Sequence, residues 1–534
     1  MLSEVMAAAQ SSRDFVIDAG ASASADVVQA MADAPSLDGG LAWANGGPVR
    51  VSGRAWLDTF DWRLYRAGLT LEQVTGRDRA ELVLTGREGD VLAVARLAVS
   101  RKPRWPSLVS ALPPGPLREL IEPVAGVRAL SPVARATSRV SELRGLNDDA
   151  KTVARLAVDR MSVTYPARAS APARLMLTPV RGYSGVTDRV GRAIAGVPGV
   201  SPFRGSALDA ALAAVGQRAG ERPGKAASVR LSPAMPAGTA MAAILTGLLD
   251  ALEANVPGTV RDVDTEFLHD LRIAVRWTRS ALKLCGDALP GGLAREYRPE
   301  FGWLGDLTTP TRDLDVYLLG FAGMAAGLVG ASESELTPFR DYLVRSRARE
   351  HRRLARGLRS ARFARLTAGW RESLDDVRPA RKRLTVAQLA DERIRAAQRK
   401  ALRAGQLITV ASPPERLHDL RKRCKELRYL VEMFGSLHDP AQHWQAVREL
   451  KALQNCLGEF QDAEVQRTEM RLFAGQMLAD RSAPATTLLA MGEIAADLAR
   501  RQRAARNEFG SRFADFASPA SQARLTELAR AAAA

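Results

Sequence analysis

His269-Asp270-Leu271-Arg272 recurs as His418-Asp419-Leu420-Arg421, 149 positions later. The same offset carries Arg276 onto Lys425 and Arg279 onto Arg428. It also carries Arg312-Asp313-Leu314-Asp315-Val316 onto Gln461-Asp462-Ala463-Glu464-Val465. Two separate motifs sharing one offset point to an internal repeat. Imidazole, guanidinium and ammonium groups donate charge-assisted hydrogen bonds to phosphate oxygens, so these residue types suit anion binding. On a helix each residue advances about 100°, which sets His269, Arg272, Arg276, Arg279 and Lys283 within about 80° of one another. His418, Arg421, Lys425 and Arg428 make the matching stripe, and Lys422 and Lys451 join the candidate set. Like charges at these spacings repel and cost helix stability. The stripes make sense if an extended polyanion, or acidic side chains of a neighbour, neutralise them; a solvated or ion-paired surface is the plainer alternative. A pseudo-two-fold packing of the two copies would set the stripes across one groove.

A third run, residues 345–362, holds eight Arg against one acid, Glu350. Arg345, Arg349, Arg352, Arg356 and Arg359 share one helical face, where a solvated surface normally mixes signs. Asp313, Asp315, Asp462 and Glu464 are either catalytic carboxylates or partners that hold Arg in position, and the second role is the better fit. No Walker loop, GxSxG or HExxH occurs. GREGD at 86–90 reads as a hairpin turn, because no helix evidently follows it. No catalytic residue, metal site or cofactor is expected.

The elements that carry these residues follow from composition and pattern. The 534 residues are 46% apolar and 25% charged, which excludes a wholly disordered chain. Lys+Arg exceed Asp+Glu by 76 to 59, and the pI is near 10.4, so polyanions are attracted. Arg supplies 67 of the 76 bases, which suits phosphate or reflects an Ala/Arg-rich codon bias. Cys285, Cys424 and Cys456 are too few and too scattered for a disulfide framework or a Cys zinc site. They read as buried free thiols in a reducing cytosol. The N-terminal stretch has no signal-peptide pattern, and Met241–Leu252 reads as a core helix too short to span a bilayer.

Before residue 230, segments are short and broken by Gly and Pro, with strands expected at Leu82–Leu84, Val91–Val99, Thr152–Val163 and Arg174–Tyr183. Ser206–Arg218 is the best helix there, and residues 219–239 read as a linker. After residue 240 the pattern is helical, with breaks expected at Pro290, Pro310, Pro413–Pro414 and Pro440.

The doubled HDLRxxxRxxR pattern, with LHDLRKRCKELRYLVE at 417–432 and LKALQNCLGEFQDAEV at 450–465, resembles the CHAD family, the conserved-histidine α-helical domain. The first copy departs from it at Thr308-Thr309, where the second has Leu457-Gly458, which bears on a local turn. The segments LDTFDWRLYRAGLTL (57–71), VARATSRV (133–140) and ARLAVDRMSV (154–163) resemble the CYTH, or triphosphate tunnel, family. That family's ExExK motif would fall near Ser12–Ile17, which reads SRDFVI, and RLMLTPVRGY at 174–183 has no acid. Without such carboxylates two-metal hydrolysis has no obvious site. Arg63, Arg66, Arg96, Arg135 and Arg139 are candidates for a residual anion tunnel, and Asp58 and Asp159 are weak candidates for metal ligands.

The resemblances imply an α+β multidomain protein. Residues 1–206 would be a degenerate CYTH-like β-rich tunnel or barrel, and 207–239 a helix and linker. Residues 240–534 would be an all-α CHAD domain of two pseudo-symmetric antiparallel bundles, near 240–375 and 385–520. They further imply inorganic polyphosphate as partner, bound without catalysis in a basic groove of a cytoplasmic, granule-associated protein. The rival expectations are a metal-dependent triphosphatase in the N-terminal part, and nucleic-acid binding. Against the latter stand sparse aromatics, at 5%, and the lack of a recognisable DNA-binding motif.

Overall fold

The computed structural model describes residues 13–17, 41–221, 229–378 and 384–531. The chain divides into two compact units, residues 1–223 and 224–534.

The first unit is one antiparallel sheet. Its strands are β1 (Arg13–Ile17), β2 (Ala42–Asn45), β3 (Arg50–Thr59), β4 (Thr70–Thr75), β5 (Arg79–Thr85), β6 (Val91–Ala98) and β7 (Ser107–Leu108). The later ones are β8 (Ala129–Leu146), β9 (Thr152–Tyr165), β10 (Ala169–Ser170), β11 (Arg174–Pro179) and β12 (Val200–Pro202). The main path runs β12-β1-β11-β9-β8-β3-β4-β5-β6. Its end strands β12 and β6 are not bonded to each other among the described residues, so backbone pairing does not close the layer into a ring. Strand β8 is the hub, pairing with β2, β3, β7 and β9. Its side chains alternate as the pleat requires: Ala134, Ala136 and Ser138 are buried, while Arg135, Thr137 and Arg139 are exposed. GREGD forms the β5–β6 hairpin turn, with the Gly86 N–H donating to the Asp90 carbonyl at 2.9 Å and Gly89 at φ 84°. That positive φ is one glycine adopts without strain.

Four helices accompany the sheet: α1 (Arg63–Arg66), α2 (Pro116–Ala125), α3 (Ser184–Ala195) and α4 (Ala207–Ala213). The helix expected at Ser206–Arg218 is shorter than its pattern. Ser206 caps it in a capping box with Asp209, and the chain turns away after Ala213. Leu208, Ala211 and Leu212 pack with Trp56, Ala136 and Met161, so α4 belongs to the sheet unit rather than to a linker. Residues 222–228 of the expected linker lie outside the described residues.

The second unit is helical throughout: α5 (Ala237–Val260), α6 (Thr265–Cys285), α7 (Leu293–Leu319), α8 (Phe321–Ala326), α9 (Thr337–Leu358) and α10 (Ala361–Asp375), then α11 (Val386–Gln406), α12 (Pro414–Met433), α13 (Pro440–Ala479), α14 (Ala485–Ala517) and α15 (Pro519–Ala531). The 149-residue offset carries the start of α5 onto that of α11, and the start of α6 onto that of α12. Packing repeats too: α5 on α6, α6 on α7 and α7 on α9 become α11 on α12, α12 on α13 and α13 on α14. The copies join through a symmetric bridge. Ala237 N–H donates to the Leu384 carbonyl at 3.0 Å, and Val386 N–H to the Met235 carbonyl at 2.8 Å. Donor matches donor and acceptor matches acceptor under the offset, as at a pseudo-two-fold axis.

Helix α5 extends well beyond the expected Met241–Leu252 and is long and apolar enough to cross a membrane by length and composition. Here it is a core element. Met241, Leu245, Leu248, Leu249 and Leu252 are buried, each stabilising the bundle by roughly 1.5–3 kcal/mol. The three cysteines are free and buried, and burial pushes the Cys285 and Cys424 thiols up to about 12.

Helices do break near Pro290, Pro414 and Pro440, but Pro310 sits inside α7, against expectation. Tyr297, Phe301, Leu304 and Leu314 bury one face of α7, and that packing outweighs the roughly 3 kcal/mol a helical proline costs. Thr308-Thr309 makes no turn either, because α7 runs through it. The real difference between copies comes at Gly320, which separates α7 from α8. Its counterpart Glu469 lies within the unbroken α13.

Candidate functional site

Helices α6 and α12 lie side by side, and a cleft of about 210 Å³ opens between them. Arg276, Ser280, Lys283 and Leu284 line it from α6; Lys422, Lys425, Glu426 and Tyr429 line it from α12. Arg276 and Lys425 are equivalent positions of the two copies, so each copy delivers a cation to one space, a guanidinium from the first and an ammonium from the second. Trp277 and Tyr429 meet with their rings tilted at 58° and centroids 5.3 Å apart, and tie the two helices together.

The local sequence explains why these cations point outward. Leu271, Ala274, Val275, Thr278, Ala281 and Leu282 take the buried face of α6, and Leu420, Cys424 and Leu427 that of α12. The basic positions fall on the remaining face. Asp264 starts α6 by accepting the Glu266 and Phe267 N–H groups at 2.9 and 3.2 Å.

The field in the cleft is strongly positive. Burial, reinforced by Arg421 and Arg276, brings the Lys425 ammonium down to about 8. Burial also lowers Arg272, with Arg276, Arg312 and Arg279 adding to the effect and Asp313 opposing it. His269 is held below its usual value by burial and then by Arg312. His269, Arg312, Arg272, Arg276, Lys425, Arg421 and Arg428 thus form one electrostatically connected set. Arg276 and Lys425 form no ion pair among the described residues. The acid in the cleft, Glu426, takes Lys283 at 2.6 Å.

The remaining candidates divide by how they are held. Arg272 donates to Thr309 Oγ1 at 2.7 Å and Thr308 Oγ1 at 3.1 Å. The first-copy departure at these threonines therefore anchors an arginine. In the second copy Gly458 replaces Thr309, and Arg421 bonds Asp462 at 2.9 Å instead. His418 Nδ1 is 2.5 Å from Gln461 Oε1, whereas His269 faces Arg312, the counterpart of Gln461. Arg428 stacks over Tyr429 at 5.5 Å, and Arg279 lies against Gly305. Lys451 is exposed on the side of α13 that carries Gly458 and Asp462, and does not line the cleft.

Arg345, Arg349, Arg352 and Arg356 on α9 and Arg359 at its C-cap are all exposed, and none lines the cleft. They lie opposite the face that buries Leu343, Leu354 and Leu358. The cleft between α6 and α12 therefore does not take in this run. Arg347, absent from the candidate set, turns inward and bonds Asp315 and Asp262, each at 2.6 Å. Asp315 and Asp462 thus hold arginines, as the better-fitting role required. Arg312 also lay outside the candidate set, because its equivalent is a glutamine.

In the sheet unit most candidate groups are occupied by their own chain, while Arg135 and Arg139 are exposed and form no ion pair among the described residues. Asp58 accepts the N–H groups of Thr59, Leu64 and Tyr65 at 2.7, 2.9 and 2.9 Å, and burial pushes its carboxyl up to about 6. Asp159 bonds Ser138 and takes Arg54 at 3.2 Å, while Arg54 also bonds Glu72 at 2.9 Å. Arg63, Arg66 and Arg96 donate to Asp61, the Gly220 carbonyl and Glu81. Ser12 lies outside the described residues, and Asp14 pairs with Arg174 at 2.6 Å. No group of three or more His, Cys, Asp or Glu residues that could hold a metal occurs among the described residues.

The family model of the CHAD domain matches residues 243–471, which include both histidine motifs and the whole cleft. This part of the chain is a CHAD domain. No curated protein matches the chain. A crystal structure of the CHAD domain from the plant Ricinus communis is 22% identical over 53% of this chain and 96% of its own, with a TM-score of 0.44. PptA from Streptomyces chartreusis is 19% identical over 52% of this chain and 99% of its own, with a TM-score of 0.40. The CHAD domain is preceded by the β-rich unit, whose antiparallel sheet is compatible with a CYTH-like domain.

Proposed function

We propose that the CHAD domain binds inorganic polyphosphate in the α6–α12 cleft, without catalysis, in a cytoplasmic protein associated with polyphosphate granules. The observation that carries this reading is the meeting of Arg276 and Lys425, two cations that form no ion pair among the described residues, in one cleft with Lys283 and Lys422. Bringing like charges together in a half-buried space is costly unless an anion neutralises them. A linear phosphate polymer supplies closely spaced charges along one direction, as the paired stripes require. Binding takes the form of charge-assisted hydrogen bonds with counterion release, so it weakens steeply with salt.

Titration of the full chain with polyphosphate of defined length, at several salt concentrations, tests this. Saturable binding with a steep salt slope is expected, and DNA of equal charge should compete poorly. Equal competition by DNA would favour a nucleic-acid binder. Magnesium-dependent phosphate release from tripolyphosphate would favour the enzyme reading.

A further inference from the structure

The α9 arginines lie outside the cleft, yet they are not an ordinary solvated face. Arg345, Arg352, Arg356 and Arg359 form no ion pair among the described residues, and Glu350 alone serves Arg349 and Arg353, at 3.6 and 3.8 Å. Elsewhere in the helical unit some exposed arginines, such as Arg399, Arg403 and Arg503, also stand without an ion pair among the described residues, but others keep their own acids. Arg500 and Arg501 share Asp497, Arg512 takes Glu508, and Arg371 takes Asp250 and Glu253. The α9 run is also not inherited from the repeat. Of the five, the 149-residue offset carries Arg352 alone onto an arginine, Arg501; it places Ile494 and Leu498, both buried, where Arg345 and Arg349 stand, and Ala505 and Glu508 where Arg356 and Arg359 stand.

The inner face of α9 fixes where this row sits. Arg347 bonds Asp262, and His351 Nε2 lies 2.8 Å from the Thr259 carbonyl. Both contacts clamp α9 to the turn between α5 and α6. Helix α6 begins directly after that turn, and His269 starts the basic ribbon one turn into it. The row from Arg345 to Arg359 spans roughly 21 Å at 1.5 Å per residue.

We propose that the outer face of α9 is a second track for the same polyanion, engaged only by chains long enough to leave the cleft and pass the α5–α6 turn. This rests on the reading that the cleft binds polyphosphate. The face fits a phosphate polymer better than single-stranded nucleic acid. The aromatics of α9, Phe339 and Tyr342, are buried, so unstacked bases have no platform there.

The test compares wild type, Arg345→Glu/Arg349→Glu, Arg352→Glu/Arg356→Glu and the combined variant, all full-length, against short and long polyphosphates of defined length. Short-chain affinity should stay within about twofold, while long-chain affinity falls about tenfold or more and its salt slope drops by about 3 for four lost phosphate contacts. Equal loss for both lengths would reduce the row to a general field and overturn the proposal, as would no loss for either. Displacement of long polyphosphate by single-stranded DNA at equal charge, lost in the combined variant, would also overturn it. Short-chain binding that survives Arg276→Glu/Lys425→Glu would instead overturn the cleft reading, so the two failures are separable.

Discussion

Arg276 and Lys425 are the same position of two repeats, and they line one cleft from opposite helices. The relationship follows from the axis marked by the Ala237–Leu384 and Val386–Met235 hydrogen bonds. An axis near α6 and α12 brings equivalent residues together, whereas residues far from it are carried to opposite sides. A charge that is ordinary in one copy becomes doubled in the pair.

Lys425 makes binding sensitive to alkali. Its ammonium titrates near 8 in the free protein, against an ordinary value of 10.5. A bound polyanion restores the charged form, so binding takes up a proton once the pH passes about 8. Affinity should fall by up to about tenfold per pH unit between roughly 8 and 10. The unfolded chain holds the extra proton in that window, so the same group makes the free fold more stable as pH rises through it. Lys425→Arg should flatten the affinity profile above pH 8, measured by titration at constant salt. An unchanged profile in that variant would remove Lys425 from the site.

His269 acts in the acid range. Burial and Arg312 keep it neutral near pH 7 in the free protein. An anion in the ribbon favours the charged imidazole, so affinity should rise as pH falls from 7 toward 6. His269→Gln should lose that rise while retaining binding at pH 8. A flat wild-type profile between pH 6 and 8 would contradict the role.

Arg347 is structural as well as positional. It offsets Asp315, whose side chain is fully buried. Arg347→Met leaves that carboxylate without its partner and should cost about 3–5 kcal/mol of stability, seen as a lower midpoint in urea. Arg347→Met/Asp315→Leu should recover much of the loss. No recovery would mean that the pair is not the source of the effect.

Much of the site was readable because helical periodicity and a fixed repeat offset are both sequence properties. His269, Arg272, Arg276 and their counterparts could be set on stripes without coordinates. Which way a stripe points depends on which face the neighbours bury, and this is why the sequence alone does not show that the α9 arginines lie outside the cleft. Arg312 belongs to the repeated motif, but its counterpart is the uncharged Gln461, so the repeat alone does not mark it as part of the basic set that includes His269. The strand core at Leu82–Leu84 and the strand Val91–Ala98 were legible from apolar runs. The 18-residue β8 was only partly so, since its Ala, Arg and Ser residues have weak strand preference and are held by the four strands paired to it.

The sharpest test reverses the cleft charges where no intramolecular partner is disturbed. Arg421 bonds Asp462 and Arg272 bonds Thr309, so reversing those residues would also break local structure. Arg276→Glu/Lys425→Glu avoids this, and the two new carboxylates lie among the remaining cations Arg421, Arg428, Lys283 and Lys422, which offset their mutual repulsion. Binding of a short polyphosphate to the full chain should weaken by about hundredfold or more, since two charge-assisted hydrogen bonds are worth roughly 3 kcal/mol together. The circular dichroism spectrum and unfolding midpoint should be unchanged or improved. A folded double variant that binds polyphosphate as tightly as the wild type would contradict the account.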